Sequence, residues 1–278
     1  MRTIKQLIDF YIHSSLHVAF SCFSMVKITA VMFHIPNVGA VSLFTFFGTV
    51  LGYNFIKYST LIRIKKGMIS NNLKAILLLS IFSFCACFYF FLKLENTTQY
   101  IAIVFLGLTV LYTLPFFPNI KNARNWAGIK IYMVALCWVG VTLVLPVLNA
   151  DVLITDFFYW KCLQRFLLIF ILILVFEIVD LQNDDPHLHT VPQQIGVKRT
   201  KILGYALLVV FTIIEVWNSG LWLQNISIVF YLEFFIAGII ALFLVFALPK
   251  RSKYYSTFWA ESIPIVWYSL IWIACLFS

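Results

Sequence analysis

The sequence predicts an all-α integral membrane protein with nine transmembrane helices. Three observations carry that prediction. Only 11% of the 278 residues are charged and mean hydropathy is +0.96, whereas a soluble domain has about 25% charged residues. Apolar stretches of about 20 residues recur along the chain, the length a helix needs to cross roughly 30 Å of hydrocarbon. Basic residues cluster in alternate connections between those stretches, as they do when short loops rich in Lys and Arg stay in the cytoplasm. Alternating segments of about ten residues, the mark of a membrane barrel, do not occur.

The expected spans run over roughly 10–33, 38–57, 73–92, 99–117, 131–149, 160–179, 201–219, 226–247 and 257–277. The first follows Arg2 and Lys5 and has no small-residue cleavage site after it, so it reads as a retained helix rather than a signal peptide. The connection from the second to the third holds Lys57, Arg63, Lys65, Lys66 and Lys74. That from the fourth to the fifth holds Lys121, Arg124 and Lys130. The sixth-to-seventh and eighth-to-ninth connections hold Lys198, Arg199 and Lys201, and Lys250, Arg251 and Lys253. With Arg2 and Lys5 these make sixteen of the twenty basic residues on one side. Lys93, Lys161 and Arg165 fall on the other, and Lys27 lies inside the first span. This split supports nine spans, a cytoplasmic N-terminus and an outer C-terminus, in what we expect to be a bacterial cytoplasmic membrane. It assigns the net charge of +9 to topology and not to nucleic-acid binding. Little chain remains between spans, so one polytopic domain over 1–278 is expected, with its chemistry at helix ends and short loops.

Cys22, Cys85, Cys87, Cys137, Cys162 and Cys275 are scattered through apolar stretches and read as small buried hydrophobes. Cys85 and Cys87, two apart, face different directions on a helix.

The sixth span ends in EIVDLQNDDPHLHTVPQQIGVKRTK, 177–201, which gathers four of the chain's eleven acids in nine residues. Glu177, Asp180 and Asp184 are spaced i, i+3, i+7 and share a helix face. Three carboxylates on one face repel unless a cation lies between them, and a helix C-terminus disfavours anions. Hard oxygen ligands suit Mg²⁺, which takes one or two carboxylates with phosphate oxygens and keeps several waters. Pro186, Pro192 and Gly196 mark a loop. Lys198, Arg199 and Lys201 then stand near the start of the next helix, where phosphate is favoured. Acids and bases in one loop fit a magnesium–diphosphate ligand. His187 and His189 lie between them and read as incidental. On the first span His13, His17 and Lys27 fall within an arc of about 80° at 100° per residue, an arc expected to face the bundle interior.

These features resemble the UbiA superfamily of intramembrane prenyltransferases, which has nine transmembrane helices around a central cavity and Asp-rich motifs after helices 2 and 6. The second family motif, D-x-x-D-x-x-x-D with a following T-L-P-x-x-x-G loop, corresponds to Glu177-x-x-Asp180-x-x-x-Asp184, then Thr190-Val191-Pro192 and Gly196. LYTLPFFPNIK, 111–121, is similar to a Tyr-containing, Pro-rich family segment ending in Lys, here Tyr112 to Lys121. The first family motif, N-D-x-x-D-x-x-x-D, is degenerate. Asn54 matches its Asn, but the Asp positions fall on Phe55, Tyr58 and Ile62, and the nearest acids in sequence are Asp9 and Glu95.

The resemblance implies a transfer of an isoprenoid from a prenyl diphosphate to an aromatic or lipid-like acceptor. Mg²⁺ would be held by Glu177, Asp180 and Asp184, with Asp180 and Asp184 catalytic. Lys57, at the first motif's place, is expected to neutralise phosphate where a metal is missing. Asn54, Tyr58, Tyr112, Lys121, Lys198 and Arg199 are the expected substrate-binding residues, and Tyr53 also neighbours the first motif. The competing reading is a UbiA-like protein that binds an isoprenoid or quinone lipid without turnover. A transporter would need charges along a path inside the membrane, and the sequence suggests few.

Overall fold

In a computed structural model, which describes residues 2–64, 70–113, 128–184, 188–218 and 228–277, every regular element is helical. In chain order these are α1 (Arg2–His13), α2 (Leu16–Met32), α3 (Gly39–Ile64), α4 (Asn71–Phe91), α5 (Asn96–Thr113), α6 (Ile129–Val139), α7 (Leu145–Asn149), α8 (Asp156–Asp180), α9 (Val191–Asn218), α10 (Ile228–Phe246) and α11 (Ile263–Leu276). A π-helical turn, Gly140–Val144, joins α6 to α7, and a second, Tyr255–Ala260, precedes α11. Seven helical segments are long and apolar enough to cross a membrane, or eight if the bent pair α1–α2 is counted as one span. The apolar part of α5, Asn96–Val110, is shorter. Each expected span therefore has a helical counterpart, but the count of nine full crossings is not reached among the described residues.

The centre of the bundle is α8. Its apolar residues Leu168, Ile171, Val175 and Ile178 are buried against Met25 and Ile28 of α2, Phe211 of α9, Ile236 and Ile240 of α10 and Trp267 of α11. The outer helices turn Phe and Leu to the lipid. On α4, Leu78, Ile81, Phe82, Phe84 and Phe88 are all exposed, which in water would be a large liability and in hydrocarbon is ordinary.

Three expectations about the helices need correction. The first span is not one straight helix. Ser14 N–H closes α1 on Phe10 O, Ser15 takes a left-handed φ of 63°, and α2 leaves at 62° to α1. A non-glycine residue in that region costs about 1–2 kcal/mol, and the Ser15 hydroxyl is held by Lys57 Nζ at 3.0 Å. Counting 100° per residue across this break fails, so His13, His17 and Lys27 do not share a face. His13 is exposed, His17 is buried, and Lys27 lies over the Phe23 ring at 5.4 Å. The seventh span begins earlier than expected. Helix starts at Val191, breaks at Gly196 (φ 80°, ψ 157°) and resumes to Asn218. Finally, Cys85 and Cys275 are exposed on the helix surface and only Cys22 is fully buried, although all six thiols are free.

Lys161 and Arg165, which the sequence reading counted with the outer side, are not surface charges. Both lie inside α8 and are buried. Lys161 Nζ meets Glu215 Oε2 at 2.5 Å and Glu233 Oε1 at 2.9 Å. Gln164 Nε2 donates to both carboxylates, at 3.0 and 3.1 Å. Arg165 donates to Thr142 Oγ1 (3.0 Å), Thr29 Oγ1 (3.2 Å) and Met25 O (3.4 Å). Lys161 thus pairs with two acids where water is scarce, which is how ionisable groups survive inside a bundle, and Arg165, within the electrostatic reach of Glu233, is held by hydroxyl and carbonyl oxygens. The node joins α2, the π turn, α8, α9 and α10.

Candidate functional site

The last turns of α8 carry the acidic stretch. Glu177 and Asp180 are helical, and Asp184 follows because its N–H and that of Asn183 both return to Asp180 O, at 3.0 and 2.7 Å. Glu177 is buried, and its Oε2 accepts the Val191 N–H at 3.0 Å, which ties the end of α8 to the start of α9. The same helix start is capped by Gln193, whose Oε1 accepts the Thr190 N–H at 2.9 Å. Asp180 and Asp184 are half-buried and within each other's electrostatic reach. The cations acting on Asp180 are Lys253, just before the second π turn, and Lys130, at the start of α6; Lys130 also acts on Glu177. Acids and bases therefore meet at one end of the bundle, but the bases come from the fourth-to-fifth and eighth-to-ninth connections, not from the loop that holds the acids. Lys198 and Arg199 are exposed on α9 beyond the Gly196 break, and Lys201 Nζ donates to Val245 O at 2.7 Å.

Among the described residues no three His, Cys, Asp or Glu side chains group closely enough to cage a metal. Glu177 has one oxygen committed to a backbone amide, so it orients the motif more than it offers a ligand. What the donor set does fit is Mg²⁺ with one or two carboxylates, its other positions left to water and ligand oxygens. Asp180 and Asp184 would supply those carboxylates.

The place of the degenerate motif lies near the end of α3. Asn54 is 3% exposed, its Nδ2 donates to Ser80 Oγ at 3.0 Å, and its Oδ1 has no partner among the described residues. Lys57 Nζ donates to Ser15 Oγ and Ile12 O (3.0 and 3.4 Å), and Tyr58 OH to His13 O (2.9 Å). Lys57 and Tyr58 thus hold the α1–α2 break. The acid whose field reaches Lys57 is Glu261, at the base of α11. Beside it His17 Nε2 lies 2.9 Å from Phe258 O and 3.2 Å from Ser262 Oγ, with its ring stacked on Phe258. Tyr53 accepts from Trp138 Nε1 at 3.1 Å. The side chain of Tyr112, and all of Lys121 and His187, lie outside the described residues. His189 has a left-handed φ of 48°.

Three residues of this end were not singled out by sequence: Lys130, Lys253 and Glu261. The lysines were absorbed into the topology count. Glu261 carried a usable signal, being an acid inside the last apolar stretch.

The fold matches solved structures along nearly its whole length. A UbiA homologue from Aeropyrum pernix K1 superposes with a TM-score of 0.65 at 14% identity, over 93% of this chain and 98% of that one. The chain has the UbiA fold. An Archaeoglobus fulgidus UbiA homologue bound to GPP and Mg²⁺ gives 0.60 at 14% identity, covering 93% and 97%. A structure described as digeranylgeranylglyceryl phosphate synthase gives 0.55 at 14% identity, covering 99% and 97%. No family model matches the sequence and no curated protein matches it significantly. The UbiA fold here thus persists with few of its neighbours' residues, and the stretch with Glu177, Asp180 and Asp184 sits at the end of α8.

Proposed function

We propose that this membrane protein is a UbiA-like prenyltransferase that moves an isoprenoid from a prenyl diphosphate to an aromatic or lipid-like acceptor. The observation that carries this reading is the acidic end of α8, where Asp184 and the cations of Lys253 and Lys130 all bear electrostatically on Asp180. Support comes from a UbiA-fold neighbour that holds GPP and Mg²⁺. Asp180 and Asp184 are the residues that would hold Mg²⁺, which would supply charge neutralisation to the leaving diphosphate. Lys130 and Lys253, whose charges reach Asp180, would add positive charge at this end of the bundle. Glu177, locked to the Val191 amide, keeps the motif at a fixed height on α8. The allylic C–O bond breaks with its electron pair leaving on diphosphate, the acceptor's electron pair forms the new bond to carbon, and the acceptor gives up a proton. The surrounding bundle excludes water that would otherwise capture the allylic cation.

The rival reading is binding without turnover. It is favoured by Asn54, Lys57 and Tyr58, which hold neighbouring helices where the family places its other acids. The deciding experiment is binding of a long-chain prenyl diphosphate to the purified protein, with and without Mg²⁺, beside Asp180→Asn and Asp184→Asn. Magnesium-dependent binding lost in both variants supports the site and justifies an acceptor screen. Binding that ignores metal and both substitutions removes the transferase reading.

A further inference from the structure

We propose that α1 is an interfacial helix that lies in the headgroup layer of an anionic leaflet, at the same end of the bundle as the acidic motif. The inference does not depend on the transferase reading.

At 100° per residue, Ile4, Leu7, Ile8 and Tyr11 fall on one arc of α1, and Lys5, Gln6, Asp9 and His13 on the opposite arc. The apolar arc is bare: Ile4 is 65% exposed, Leu7 66% and Ile8 36%. Its end meets the bundle, where the Tyr11 ring lies 5.1 Å from His17 and 6.2 Å from Phe20. Phe20 is itself 43% exposed on α2, so the bare stripe runs on into the lipid-facing surface of a membrane span.

The attachment of α1 excludes a crossing. Twelve residues of helix reach about 18 Å, short of the roughly 30 Å of hydrocarbon, and the 62° turn at Ser15 carries α1 away from the axis of α2. Tyr58 OH and Lys57 Nζ hold its last carbonyls, and Tyr254 OH donates to Asp9. These bonds strap it between the end of α3 and the start of the second π turn. Asp9, the acid of the polar arc, is thereby engaged. Lys5 remains exposed, and the sequence adds Arg2 to the same helix. A short helix with a strong apolar face, low net hydrophobicity and bases on its polar side lies in the interface plane and is drawn to anionic lipid.

The test uses the full chain with its six cysteines replaced by alanine. A nitroxide is placed at Leu7→Cys or at Lys5→Cys, in nanodiscs of phosphatidylcholine alone or mixed with phosphatidylglycerol. The label at position 7 is expected to be accessible to oxygen and shielded from a water-soluble nickel chelate. The label at position 5 should show the reverse. Adding Lys5→Glu to Leu7→Cys should raise nickel access at position 7 several-fold in the anionic discs only. Equal nickel access at positions 5 and 7 would overturn the interfacial placement. Shielding from both relaxants would overturn it in favour of a second copy of the chain covering the stripe. An effect of Lys5→Glu that is the same in both lipids would overturn the preference for anionic headgroups. Size-exclusion profile and melting temperature of each variant serve as the fold control.

Discussion

Asp180 and Asp184 sit one turn apart at the end of α8, where the helix dipole opposes their charge, yet the charges of Lys130 and Lys253 reach Asp180. Their removal should therefore cost function and not stability. Asp180→Asn is expected to weaken Mg²⁺-dependent prenyl diphosphate binding at least tenfold while shifting unfolding by no more than about 0.5 kcal/mol; titration calorimetry and thermal denaturation read the two. Lys161 is the opposite case. Lys161→Met leaves Glu215 and Glu233 buried against each other with their shared cation gone, which should destabilise by about 3–5 kcal/mol. Adding Glu215→Gln and Glu233→Gln to the same chain should recover part of that loss in a detergent melt, because the two carboxylates left without Lys161 are then neutral, while Arg165 keeps its hydroxyl and carbonyl partners.

Two helical elements depend on a glycine for different reasons. Gly140 opens the π turn between α6 and α7, and a Cβ there would meet the Phe105 ring at 2.3 Å. Gly140→Ala should cost about 1–3 kcal/mol as the ring is driven off its seat, and Phe105→Ala on top should relieve part of it. Gly196 has open space around a Cβ but a backbone at φ 80°. Gly196→Ala should cost roughly 1–3 kcal/mol from backbone strain. It should also disturb ligand binding, because straightening α9 pulls Val191 away from Glu177. The π turn has a packing role as well. It frees the Thr142 carbonyl to accept the Thr29 hydroxyl at 2.7 Å and sets Thr142 Oγ1 before Arg165.

Across the whole molecule, the burial of Lys161 and Arg165 sharpens the charge asymmetry instead of weakening it. Once they are counted as part of the bundle, Lys93 is left as the basic residue of the opposite end, and the acidic motif sits at the basic end. That end is expected to face the cytoplasm. A cysteine introduced at Lys250 should be labelled by a membrane-impermeant maleimide only after the cells are opened, and one at Lys93 in intact cells. The reverse pattern would invert the topology.

The sequence alone determined that the chain is helical and membrane-embedded, roughly where its helices lie, and which stretch carries the acids. Those properties follow from local hydrophobicity, helix length and i, i+3, i+7 spacing, each of which a linear read can count. Only the tertiary structure decided which side chains meet. The break at Ser15 needs Lys57 from another helix to hold it, so no count along the first span could reveal it. Glu261 faces Lys57 from the far end of the chain, and Lys161 finds Glu215 and Glu233 from 54 and 72 residues away. Partners so distant in sequence leave no periodicity behind; they are chosen because a charge in hydrocarbon must be neutralised by whatever group the packing of helices brings beside it.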